Sequence, residues 1–74
     1  MNATTKTIID RLPGKPILSP GDIAAAYGMT DAAAIIEAIR RGQIATSQVG
    51  RKHFIARTEA ARYIESTEYK ADEA

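Results

Sequence analysis

The chain has no cysteine and no tryptophan, and only one histidine and one phenylalanine. Without cysteine there is no disulfide staple and no thiolate metal site. One histidine leaves no pair for a structural zinc. No apolar run reaches the roughly 18 residues of a membrane span, and no signal-peptide pattern is present. A soluble protein of the cytoplasm is expected, with no membrane partner. Aromatic residues make up 5% of the 74 positions, so the core must be largely aliphatic. One small domain is expected, near the size of about 70–80 residues below which a single core supplies only a few kcal/mol.

The net charge is +1, but it is unevenly spread. Between Ala38 and Thr58 stand Arg40, Arg41, Arg51, Lys52 and Arg57, with no acid. From Glu59 onward Glu59, Glu65, Glu68, Asp72 and Glu73 outweigh Arg62 and Lys70. A basic centre beside an acidic end points to a polyanion site, nucleic acid above all. The plainer reading of the same residues is a solvated charged surface.

Residues 1–17 read as an N-terminal arm. Its polar start, through Thr5, is expected to fray. Thr7 to Leu12 reads as either a short strand or a helical turn, with Ile8, Ile9 and Leu12 packing on the body. Pro13-Gly14-Lys15-Pro16 breaks the chain. Residues 18–66 carry the domain proper. Ser19 is an N-cap, Pro20 suits the first helical position, and Asp22 stands where a capping-box acid reaches back. This helix runs to about Tyr27, and Gly28 takes the positive φ that ends it.

Thr30 is expected to cap a second helix, with Asp31 at its positive end, running to Arg41 and stopped by Gly42. Two helices joined through a glycine turn have helix-turn-helix spacing. Gln43 to Val49 reads as a strand, with Ile44 and Val49 inward. Gly50-Arg51 reads as a tight hairpin turn, and His53 to Ala56 as the return strand. Thr58 caps a third helix, Glu59 to about Ser66, with Ala60, Ala61 and Ile64 inward. Residues 67–74 read as an acidic flexible tail. The expected class is mainly α with a small two-stranded β wing, in the order of a winged helix-turn-helix.

At 100° per residue, Ala32, Ile35, Ile36 and Ile39 form the core stripe of the second helix. Thr30, Ala33, Ala34, Glu37 and Arg41 lie opposite, on the face that would meet a major groove, with Arg40 beside them. Thr30 and the alanines can touch thymine methyls, Glu37 can accept from a cytosine amino group, and Arg41 can reach guanine or phosphate. With so few hydrogen-bonding groups, binding energy would come from phosphate contacts by Arg41, Arg51, Lys52 and Arg57. Much of the specificity would come from DNA shape and bending. The competing reading is that the alanine face is a good helix former turned to water.

Arg51, Lys52 and His53 at the hairpin tip suit a narrow minor groove, or else a solvated turn whose charges block edge aggregation. His53 has no second histidine to work with and reads as a half-buried residue or a phosphate donor. Tyr27, Phe54 and Tyr63 read as core. Asp22, Asp31 and Glu59 are explained by helix starts. No phosphate-cradling glycine loop is present, and nothing in the pattern calls for catalysis, a metal or a cofactor.

From Leu18 to Ile64 the chain resembles the excisionase-type, MerR-like winged helix-turn-helix family. The resemblance is carried by Leu18-Ser19-Pro20, Ile23-Ala24, Gly28, Ile39-Arg40-Arg41-Gly42-Gln43-Ile44, Val49-Gly50-Arg51-Lys52, Ile55 and Arg57-Thr58-Glu59-Ala60. It implies a second helix in the major groove, a wing of Arg51 and Lys52 on the minor groove or backbone, and phosphate contact by Arg57. Asp31, Ala32 and Ala33 stand where Arg, Ser and Thr are common in the family. Regulators of the family that sense ligands append further domains, so a chain of this length resembles the free-standing excisionases of temperate phages. The resemblance implies double-stranded DNA, a phage integrase and head-to-tail neighbours on DNA as partners. A small phage repressor or AlpA-like regulator shares the same features. A protein-interaction module, with the basic wing meeting an acidic protein, is the alternative from another class.

Overall fold

The computed structural model describes residues 1–69. Among them are four helices: α1 (Ala3–Asp10), α2 (Pro20–Tyr27), α3 (Ala33–Arg40) and α4 (Arg57–Ser66). Three strands, β1 (Ile17–Leu18), β2 (Ser47–Val49) and β3 (Lys52–Ala56), form an antiparallel sheet in the order β1-β3-β2. The class is mainly α with a small β part.

The sheet has one strand more than the two-stranded hairpin expected. Pro16 and Pro20 push the residues before them out of helical conformation, so the chain between them runs extended. Ile17 then pairs with Ala56 and Leu18 with Ile55. The Arg57 N–H donates to the Pro16 carbonyl at 2.9 Å and prolongs the pairing.

The start of the chain is helical rather than frayed. The Asn2 side chain caps α1 by accepting from the Thr5 N–H at 2.8 Å. Thr5 is buried, and Ile8 and Ile9 pack on the core. A helix this short is marginal alone; packing against α4 and α2 holds it. Residues 7–10, left open between strand and turn, belong to this helix.

The α2 helix follows its local signals. Ser19 Oγ accepts from the Asp22 N–H at 3.2 Å, and Asp22 Oδ2 accepts from the Ser19 N–H at 3.0 Å. That backbone bond, aided by Lys15 at 3.4 Å, holds the Asp22 carboxyl below its usual value. Gly28 closes the helix in the left-handed region, φ 81°, where a Cβ would be strained.

The α3 helix starts later than expected, and Thr30 is not its cap. Asp31 Oδ1 accepts from the Ala33 N–H at 2.9 Å, a local turn that holds residues 30–32 outside the helix. Burial centres on Ile35 and Ala38, while Ile36, expected in the core stripe, is 40% exposed.

Strand β2 is shorter than the span from Gln43 expected for it. Ala45 N–H donates to Glu59 Oε2 at 2.9 Å, and the Gln43 carbonyl accepts from Arg62 at 2.8 Å. These backbone groups thus bond to side chains of α4 instead of joining a strand ladder. Ile44 is buried, but Val49 is 68% exposed rather than inward. In the two-residue hairpin loop only Gly50 has positive φ, 62°, as a turn with glycine first requires.

Helix α4 begins at Arg57, so Thr58 is inside it and not its cap. The Arg57 N–H already has the Pro16 carbonyl as acceptor. Tyr27 and Tyr63 edge the core, while Phe54, expected in it, is exposed. The acidic tail expected from residue 67 is tied down at its beginning. Thr67 Oγ1 lies 2.8 Å from the Tyr27 hydroxyl, and the Asn2 N–H donates to Glu68 Oε1 at 2.5 Å. Its other charged residues, Lys70, Asp72 and Glu73, lie outside the described residues.

Candidate nucleic-acid interface

Two open grooves separate α3 from the hairpin. The larger, about 620 Å³, runs from Lys15 and the start of α2 past Ile36 to Arg51, Lys52 and Phe54. The smaller, about 440 Å³, lies between Ile36, Ile39 and Arg40 on the helix and Thr46, Gln48 and His53 on the hairpin side. Lys15, Arg40, Arg51 and Lys52 line these grooves, and no Asp or Glu does. Grooves lined by one sign of charge concentrate ions of the other.

The front of α3 presents exposed Ala33 and Ala34. Thr30 is exposed in the turn ahead of it. One turn on, Glu37 holds both arginines: Oε1 lies 3.7 Å from Arg40, and Oε2 accepts from Arg41 Nε at 3.1 Å. Arg41 is the C-cap. Glu37, assigned to a base edge from sequence, is therefore paired within its own helix.

Arg51 and Lys52 are exposed at the hairpin tip. His53 is half-buried between the two grooves, and its Nδ1 is buried without a hydrogen-bond partner. Only Nε2 is left for a phosphate contact. Arg57 lines neither groove. It is half-buried and donates from Nε to the Pro13 carbonyl at 3.1 Å, so it clamps the loop before β1.

Sequence reasoning missed Lys15 and Ile36. Lys15 was hidden in a segment read only as a chain breaker. Ile36 matched the apolar helical period, but the true centre of burial lies about one residue around the wheel.

The approach to the hairpin is fixed by Glu59 and Arg62. Arg62 donates to both carboxylate oxygens, at 2.9 and 2.6 Å, while reaching the Gln43 carbonyl. Arg62 first, then the Ala45 N–H, brings the Glu59 carboxyl from 4.5 down to about 2. A lowered folded pKa gives stability that is complete above the ordinary value and lost as pH falls from there through about 2. Glu59→Gln is expected to melt as if about 1 kcal/mol less stable at neutral pH, allowing for solvent exposure. Between about pH 5 and 2 it should lose less stability than the parent. Equal acid slopes in thermal melts followed by circular dichroism would remove Glu59 from the acid response.

Among the described residues no three or more His, Asp or Glu are grouped to hold a metal ion. No helix among them is long and apolar enough to cross a membrane. No family model, no curated protein and no solved structure matches the chain.

Proposed function

We propose that the chain is a winged helix-turn-helix that binds double-stranded DNA, with α3 in the major groove and the β2–β3 hairpin as the wing on the neighbouring backbone or minor groove. The observation that carries this reading is the collection of Lys15, Arg40, Arg51 and Lys52 along grooves between a helix and a hairpin, with no acid lining them. The alanine front of α3 allows close approach but offers few hydrogen bonds, so sequence preference would come largely from DNA shape and deformability. This suits an architectural factor of the excisionase type, which bends attachment-site DNA and directs a phage integrase toward excision beside neighbouring copies of itself.

Fluorescence anisotropy against salt tests the reading, using a mixed-sequence duplex of about 30 base pairs. About four phosphate contacts give a log–log slope of about −3.6. A flat line, or no binding at low salt, would sink it.

One observation favours a second reading, a protein-interaction module. The sheet face opposite Leu18 and Ile55 carries Ile17, Phe54 and Val49, which are 48%, 39% and 68% exposed. Exposed apolar patches mark contact surfaces. Charge reversal at the hairpin tip separates the two readings.

A further inference from the structure

We propose that Glu37 is a built-in counter-ion that restrains non-specific DNA binding by holding Arg40 and Arg41; the inference rests on the DNA-binding reading above. The carboxylate lies in the last turn of α3 and pairs with both guanidinium groups, at 3.7 and 3.1 Å. Helix stability does not call for an acid there. The negative end of the helix dipole favours Arg40 and Arg41 unaided and disfavours a carboxylate. Exposed pairs of this spacing add only a few tenths of a kcal/mol.

On DNA the same geometry has a larger consequence. Each guanidinium held by Glu37 is a poorer phosphate ligand, and the carboxylate itself is repelled by the backbone. The pair opens without penalty only where a base-edge amino group, such as that of cytosine, replaces the lost partners. On any other sequence the arginines stay held or the acid is left unpaired. This is discrimination by penalising the wrong partner, and it supplies what the alanine front of α3 lacks. Ala33 and Ala34, the other exposed residues of that face, carry no charge with which to do it.

The test is Glu37→Gln, which keeps the shape and removes the charge at an exposed position. Anisotropy on the mixed-sequence duplex is expected to show about five- to tenfold tighter binding at low salt. The salt slope should steepen by about one to two units as the freed arginines engage phosphate. Equal affinity and slope for the two proteins would overturn this inference and leave the DNA reading standing. Weaker binding by the variant would overturn it in favour of a purely attractive role. Absence of binding by both proteins would overturn the DNA reading and this inference with it.

Discussion

Arg51→Glu combined with Lys52→Glu is expected to lower affinity for a mixed-sequence duplex about 100-fold or more at about 50 mM salt. Each phosphate contact releases close to one counterion. Losing two flattens the log–log slope by about 1.8 units, which at that salt corresponds to about two orders of magnitude. Reversing the sign adds repulsion from the backbone. The change should leave the fold intact, because both residues are exposed and Gly50 supplies the strained turn conformation. Circular dichroism melts of parent and variant should therefore superimpose. Unchanged duplex affinity would turn attention to the apolar sheet face of Ile17, Phe54 and Val49 and to a protein partner. A loss confined to one duplex sequence would instead mean that the tip reads bases rather than phosphate.

How much of this was legible in the sequence depended on how far each element's signals lie from the groups they bond. Helix α2 was read nearly to the residue. Its start is a reciprocal bond between Ser19 and Asp22, and its stop is a left-handed glycine, all within the element itself. The hairpin turn was legible for the same reason, and with it the position of Arg51 and Lys52. Helix α3 was misread at its start because Thr30 and Asp31 are both good caps. Asp31 bonds the Ala33 N–H and draws the residues before it into a bend.

Strand β1 was missed because two residues make no periodic pattern, and their partners, Ile55 and Ala56, lie far along the chain. The arm became a helix for a comparable reason: Asn2 is bonded to Glu68, at the other end of the described chain. In the candidate site, the chemistry of Arg40, Arg41 and Glu37 was visible as residue types. Their mutual pairing was not weighed, although i,i+3 and i,i+4 spacing puts such side chains within reach.

The core carries the other large effect. Ile55→Ala is expected to lose about 2–5 kcal/mol. Ile55 is fully buried on β3, the central strand, opposite Leu18 of β1. A domain of this size holds only about 3–5 kcal/mol, so the variant should be substantially unfolded at room temperature, as read by denaturant titration. Ile55→Val removes one methylene, costs about 0.5–1.5 kcal/mol, and should remain folded. The pair of variants also bears on DNA binding. Helix α3 packs on α2, and α2 in turn packs on β3. The spacing between the α3 arginines and the hairpin tip is therefore set through the layer that contains Ile23 and Ile55. If two separated sets of cations must reach one duplex together, binding should fall with the unfolded fraction in Ile55→Ala and persist in Ile55→Val. Full duplex affinity from an unfolded Ile55→Ala chain would mean that charge alone, without the grooves, accounts for binding.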